Sequence, residues 1–407
     1  MLDIDFVRTQ FPAFAEPSLA GWAFFENAGG SYACQQVIDR LIGFYTRTKV
    51  QPYAPYPAGQ QGGAMMDESY QRLAGYLNVH LDEVNFGPST TQNVYVLAQA
   101  FRAGWSDGDE IIVTNQDHEA NGGAWRRLAD RSIVVREWQV DPVNGVLNLD
   151  DLDNLLSTRT RLVVFPHCSN IVAHVNPVAE ICARAHAAGA KTVVDGVSYA
   201  GHGFPDIDAL GSDVYLFSLY KTYGPHQGLM VMRRDTLDEL ENQNHFFNAE
   251  YANKKLVPAG PDHAQIAAAG GIAEYFDLVH AHHFPDRTVD AAQRGRDIHN
   301  LFQSHEKTLL QPLLDYLALR DDVRILGARN AAVRAPTVSI EVQGDPEQTA
   351  ARLAEHKIMC WSGNFYAYRL VEALGLDPER GALRLSFVHY TSMQDIKQLV
   401  TALDAVL

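Results

Sequence analysis

This sequence predicts an α/β fold with a mostly parallel sheet, followed by a smaller α+β part. Three observations carry that expectation. Short, nearly continuous apolar runs rich in β-branched residues recur through the middle of the chain; helical patterns separate some of them; and the pattern changes after about residue 255. Parallel strands covered on both faces read as unbroken apolar runs rather than alternating ones.

Taken in order, the expected strands are "EIIVTN" (110–115), "SIVVRE" (132–137), "RLVVFP" (161–166), "KTVVD" (191–195), "DVYLFS" (213–218) and "GLMVMR" (228–233). The segment "VAEICARAHAAGA" (178–190) reads as a crossover helix, with Val178, Ile181, Cys182 and Ala185 on one face. Helices around 264–280 and 288–317 then lead into "PTVSIEV" (336–342), "EQTAARLAEHKI" (347–358), "ALRLSFVHY" (382–390) and "MQDIKQLVTALDAVL" (393–407). Two strands and two amphipathic helices of this kind suit a smaller α+β domain. The expected organisation is an N-terminal segment (1–20) packing with the small domain, a large domain over 21–255 and a small domain over 256–407. No Gly/Ser linker marks the boundary.

Composition narrows the function classes. The 407 residues are 46% hydrophobic and 20% charged, ordinary for a globular chain, and the formal net charge is −16. That acidity, with no Lys/Arg-rich run, argues against a nucleic-acid or anionic-membrane partner. No apolar stretch of about 18 residues would span a bilayer, and "MLDIDFVRTQFPAF" does not read as a signal peptide. The four cysteines form no CxxC pair, so reduced thiols in a cytoplasmic protein are expected.

The chemistry begins with one lysine. In "LFSLYKTYGPHQGLMVM" (216–232), Lys221 follows an expected strand and precedes a turn signal, where an amine reaches a ligand at the sheet's carboxyl edge. Asp195 ends another strand. A lysine that forms a Schiff base with an aldehyde, and a carboxylate that pairs with a pyridinium nitrogen, point together to pyridoxal phosphate. Ser89, Thr90 and Thr91 in "FGPSTTQNVYVLAQAF" read as a helix N-terminus able to accept the phosphate, although an ordinary structural cap has the same signature. Ser218 is a further phosphate donor. His118 in "TNQDHEANGGAW" is placed to stack on the cofactor ring or shuttle protons, and Asn170 in "FPHCSN" to meet its phenolic oxygen; a solvated loop histidine and a turn asparagine are the plainer readings. Arg384, in mid-strand, suits capture of a substrate carboxylate if it faces inward, and is merely solvated if it faces outward. Asp195, Lys221, His118 and Asn170 all fall just after strands on one sheet edge.

Rival readings fare worse. "SLYK" (218–221) matches an SxxK acyl-enzyme motif, but it leaves a strand and lacks SDN and KTG companions. The histidines of "HAHHF" (280–284) read as a solvated helix end rather than a metal site, since no HExxH occurs. A non-catalytic binding protein has no need of Lys221 and Asp195 together.

The run "VVDGVSYAGHGFPDIDALGSDVYLFSLYKTYGPHQGLMVM" resembles the lysine-bearing segment of class V aminotransferases, the fold-type-I pyridoxal-phosphate group that includes cysteine desulfurases. The likeness extends over "FFENAGGSYACQQVIDRL", "GPSTTQNV", "DHEAN", "HCSNIVAHVNPVAEICARAHAAGAK" and "ALRLSFVHYTSMQDIKQLVTAL", nearly the whole chain. It implies a seven-stranded large-domain sheet and a homodimer with its active site at the interface. By position it implies Lys221 as the Schiff-base lysine, Asp195 as the pyridinium partner and His118 stacked on the ring. It implies Thr90, Thr91 and Ser218 at the phosphate, Asn170 and Ser198 near the phenolic oxygen, and Asn27, Asn170 and Arg384 at the substrate.

Three departures qualify the resemblance. Tyr366, in "WSGNFYAYRL", stands where desulfurases carry their loop cysteine; Cys360, six residues earlier in an expected strand, reads as structural. Ser198 replaces a common glutamine. The segment usually reading "GTPN" is "AGPDH" (259–263), without its threonine. The expected function is therefore a pyridoxal-phosphate enzyme acting on a small amino acid by loss of the Cα proton, desulfurase-like or a C–S β-lyase. Aminotransferase and epimerase outcomes share its first steps.

Overall fold

The computed structural model describes residues 1–258 and 260–407. Ala259, first residue of the "AGPDH" segment, lies outside the described residues; Asp262 of that segment caps helix His263–His283, accepting from Gln265 N at 3.1 Å.

Seven strands form the main sheet, in the order Val84–Gly87, Gly228–Met232, Val214–Ser218, Lys191–Asp195, Thr160–Pro166, Glu110–Thr114, Val134–Trp138. Only Gly228–Met232 runs against the others. The strands Glu110–Thr114, Val214–Ser218 and Gly228–Met232 are buried at every position, which is why they read as continuous apolar runs. Helix Val178–Ala187 buries the four residues that its spacing singles out. The strand Val84–Gly87 and the helices Gln35–Gly43 and Pro57–Leu77 have no counterpart among the expected elements. The last of these opens "PAGQQGGAMM", whose glycines lower helix propensity. Packing overrides that cost: a Cβ at Gly63 would collide with the Tyr53 ring.

Helix His263–His283 packs its Ile266, Ile272 and Phe276 into the same apolar core as Phe217 and Val231 of the sheet. The core thus continues past residue 255. A second, antiparallel sheet orders Trp361–Gly363, Ala382–Ser386, Thr337–Val342 and Val323–Ile325. It shares a separate core with helices Ala291–Ala318, Pro346–Glu355 and Met393–Val406, to which Ala23 and Phe25 also belong. The strand expected through Tyr390 stops at Ser386, because the chain then turns inward: Phe387 N donates to Pro336 O and Thr391 N to Val388 O. Near the N-terminus, Ala23–Phe24 pairs in parallel with Ile358–Met359, and Arg8 makes an ion pair with Asp395.

Two side readings change. The 280–284 histidines are not simply solvated: His280 is buried against Asp297 at 3.1 Å, and His282 stacks on Phe6 at 3.8 Å, because the N-terminal helix lies over this helix end. Cys360 lies between two short strands rather than inside one, and is half-buried. Among the described residues no helix is long and apolar enough to cross a membrane, and no cluster of three or more His, Cys, Asp or Glu is arranged to hold a metal ion.

Candidate active site

Five chain segments leave the carboxyl edge of the main sheet and enclose one cavity of about 520 Å³. Lys221 ends the short turn Leu219–Lys221 that follows strand Val214–Ser218. Its amine has no hydrogen-bond or ion-pair partner among the described residues, and its nearest aromatic face is Tyr220, 5.8 Å away. Burial lowers the lysine to about 8, the Arg384 charge adds to the shift, and Asp195 and Glu26 oppose it.

Asp195 closes strand Lys191–Asp195. Its Oδ1 accepts from Val197 N at 2.8 Å, and its other oxygen has no partner among the described residues. Burial raises this carboxyl to about 6. His118 caps helix Glu119–Arg126, with Nδ1 accepting from Ala120 N at 3.0 Å. That bond leaves the proton on Nε2, and burial, reinforced by Lys221 and Arg384, lowers the imidazole to about 3, so it is neutral. The loop before it is pinned by buried Asp117, which accepts from Thr114 Oγ1 at 2.5 Å and Asn121 Nδ2 at 2.8 Å.

Helix Thr90–Arg102 points its N-terminus into the cavity, capped by Ser89 Oγ accepting from Gln92 N at 3.2 Å. Thr90 Oγ1 lies 2.8 Å from Ser218 Oγ. The neighbouring strand begins at Gly228, where a Cβ would fall on the Ser89 and Thr90 backbone, so the close seating of this turn requires glycine. Ser218 therefore ends a strand and faces Thr90, an arrangement unlike the helical face that an SxxK site needs.

Asn170 donates Nδ2 to Phe365 O at 2.9 Å, while its buried Oδ1 has no partner among the described residues. Ser198 lines the cavity. Asn27 instead borders a small adjoining space of about 20 Å³, shared with Lys221 and Ser198. Its side chain is already engaged, by Ser386 O at 3.2 Å and by the Tyr390 hydroxyl. Arg384 resolves to the inward orientation, but it stands apart from the residues lining the main cavity. It is 3% exposed, donates to Glu26 at 2.9 Å, and carries the Phe365 ring 3.6 Å from its guanidinium carbon. Tyr366 lines the cavity beside His118, ring centroids 5.2 Å apart.

Sequence reasoning overlooked several lining residues. Tyr220 and His226, stacked at 4.7 Å, flank the lysine turn, and Arg127 and Tyr95 stand at the mouth. The first pair sits in the quoted "LYKTYGPH" segment; the second lies on helix faces with no local signal. Glu26, one residue before Asn27, was also passed over.

These groups fit pyridoxal phosphate. A free amine, a carboxylate oxygen without a partner, an orphaned Asn170 acceptor and a helix N-terminus flanked by two hydroxyls match an aldehyde, a ring N–H, a phenol and a phosphate respectively.

Comparison with known proteins extends over nearly the whole chain. Residues 23–255 and 297–399 match the family described as Aminotransferase class-V. The chain is 35% identical over 418 residues to Aminotransferase-like protein FGM3 of Gibberella zeae, covering 99% of this chain and 98% of that one. It is 28% identical over 426 residues to Cysteine desulfurase-like protein ustD of Aspergillus flavus, covering 100% and 91%. Among solved structures, the cysteine desulfurase CsdA from Escherichia coli superposes with a TM-score of 0.83 at 23% identity, covering 100% of this chain and 98% of that one. A cysteine desulfurase from Thermococcus onnurineus NA1 gives 0.86 at 22%, with the same coverage. These two likenesses carry the fold.

Proposed function

The chain belongs to the class V aminotransferase family, and from that premise we propose that it is a pyridoxal-phosphate enzyme acting on a small amino acid, of C–S β-lyase or desulfurase-like type. The observation that carries this reading is the unpartnered Lys221 amine, set in one cavity with an Asp195 oxygen that also lacks a partner. When bound, the cofactor supplies an aldehyde that condenses with amines and a ring that withdraws electrons from the substrate's Cα.

The residues divide that work. Asp195 holds a proton on the ring nitrogen, and a cationic partner draws its own pKa back down from about 6. Thr90, Thr91 and Ser218 would hold the phosphate, and the neutral His118 imidazole would stack against the ring. Asn170 and Ser198 would hold the phenolic oxygen. Lys221, with a pKa of about 8, has an appreciable unprotonated fraction near neutrality and takes the Cα proton. Arg384 holds the substrate carboxylate, with Asn27 beside it.

The lyase outcome is preferred over persulfide formation on a protein thiol. Tyr366 carries no sulfur, and burial pushes the Cys360 thiol up to about 12, far from a reactive thiolate. A homodimer belongs to the same reading: Phe246, Phe247 and Tyr251 form an exposed aromatic group suited to a second copy.

The test is the near-visible spectrum of the protein loaded with pyridoxal phosphate, before and after L-cysteine. A band that requires Lys221 and shifts with cysteine, with sulfide released, is expected. Sulfide release that stops in Cys360→Ser would overturn the lyase assignment in favour of persulfide chemistry. A band absent from the wild-type protein would overturn the cofactor reading itself.

A further inference from the structure

Arg384 is already occupied. Its Nη2 donates to Glu26 Oε1 at 2.9 Å, its Nε is buried without a partner among the described residues, and the Phe365 ring closes one guanidinium face. Glu26 comes from the extended residues after Ala23–Phe24, where it bridges to Ser386 on the strand that carries Arg384. The pair is therefore set by main-chain pairing rather than by two long side chains meeting in solvent. Phe365 is fixed as well. Its carbonyl accepts from Asn170 Nδ2 at 2.9 Å, and the next carbonyl, of Tyr366, accepts from Glu119 N at 2.7 Å. Phe365 and Tyr366 both have left-handed backbone, at φ 50° and 59°, a local cost accepted where surrounding contacts impose it.

Carboxylates bind a guanidinium along its edges, through paired N–H donors. With one face closed by Phe365, the edges are what a ligand can use, and Glu26 holds a nitrogen of that edge. A second carboxylate arriving there meets a neutral pair and a like charge rather than a free cation. Glu26 has a second mark of an imperfect match: Oε2 is buried and unpartnered. Burial also raises the Glu26 carboxyl, against the pull of Arg384.

We propose that Glu26 is a specificity-determining residue: a resident carboxylate that occupies Arg384 and must be exchanged for the carboxylate of an incoming amino acid. The proposal rests on the reading of Arg384 as the carboxylate-binding residue. Its consequence is a deliberately weakened grip on simple monocarboxylates, so that a ligand is retained only when its amine also engages the Lys221 side of the site.

The test uses 3-mercaptopropionate, the carboxylate and thiol of cysteine without the amine, titrated calorimetrically into the protein both as purified and after incubation with pyridoxal phosphate. Having no amine, the probe does not depend on condensation with the cofactor, so its binding stays readable even if the cofactor reading fails in the spectrum. Glu26→Gln is expected to bind it about tenfold more tightly than the wild type, and Glu26→Gln/Arg384→Gln to lose that gain. Glu26→Ala, which removes the competing oxygens altogether, checks that the gain does not come from a new amide contact. With L-cysteine, the same Glu26→Gln change is expected to lower KM and leave kcat within a factor of about two. Equal or weaker binding of the probe by both Glu26 variants overturns the proposal, as does an undetectable affinity in all forms.

Discussion

The two ends of the main sheet treat charge in opposite ways. At the amino end, Glu110 opens its strand fully buried and fully partnered, accepting from Arg136 at 2.7 and 2.9 Å, Arg159 at 2.6 Å and Ser157 at 2.8 Å. Those partners, Arg136 first, hold its carboxyl down at about 2. Nearby Asp213 accepts from Thr192 N and Oγ1, both at 2.8 Å, and meets His186 at 2.7 Å. At the carboxyl end of the same strands, burial has no such answer. Lys221 falls to about 8 and Asp195 rises to about 6. Paired charge there gives way to charge that awaits a ligand. One end contributes stability, and the other accepts a stability cost in exchange for function.

That contrast breaks first at Lys221. Lys221→Met is expected to reduce turnover by about a thousandfold or more, the scale of a lost general base in its site. The ligand-free protein should nevertheless become harder to unfold with urea at pH 7. The lysine's pKa is lowered from 10.5 to about 8 on folding, so the unfolded chain holds the proton more tightly and folding is penalised below about 8. The penalty fades as pH climbs from 8 to above 10, and the advantage of the variant should fade with it. A variant that is both active and no more stable would dissolve the contrast.

Asp195→Asn should behave similarly with the opposite pH sign. Its folded-state pKa is raised from 3.8 to about 6, so the stability it contributes is present below about 4 and is lost as pH rises through 6. The variant escapes that loss, gaining on the order of 3 kcal/mol over the wild type above pH 6 in the ligand-free form. Turnover should drop by about a hundredfold, because a neutral amide holds no proton on the ring nitrogen. Unfolding curves at pH 4.5 and 7.5 measure the first effect.

The amino end predicts the reverse. Glu110→Gln is expected to cost about 2 kcal/mol of stability at pH 7 while turnover per folded molecule is unchanged. Its carboxyl is depressed on folding, so the wild type's advantage is present above 4.5 and disappears as pH falls toward 2. A loss of turnover in this variant, measured at matched folded fraction, would mean that the two ends are coupled. The smallest effect sharpens the comparison at the hydroxyl pair: Ser218→Ala should weaken cofactor retention about fivefold, the scale of one hydrogen bond, with little change in unfolding.

Much of this arrangement was legible in the sequence. Lys221, His118 and Asn170 follow, and Asp195 closes, buried strands whose apolar runs are continuous in sequence, and ligands of open α/β sheets gather beyond strand carboxyl ends. Arg384 was legible as a mid-strand cation, but not its occupancy. The helix Pro57–Leu77 was hidden because its glycines contradict local propensity and are justified only by tertiary packing, Tyr53 against Gly63 and the Gln51–Ala54 backbone against Gly59.

The sequence by itself determined the strands, the edge on which chemistry gathers and the residue types present there, because burial on both faces and strand ends leave local, short-range patterns. Only the tertiary structure decided what those residues face. Glu26 reaches Arg384 across 358 residues of chain, Phe365 lies on the same guanidinium, and Tyr366 stands beside His118. Such pairings leave no periodic trace, since they arise where two sheets with separate cores meet.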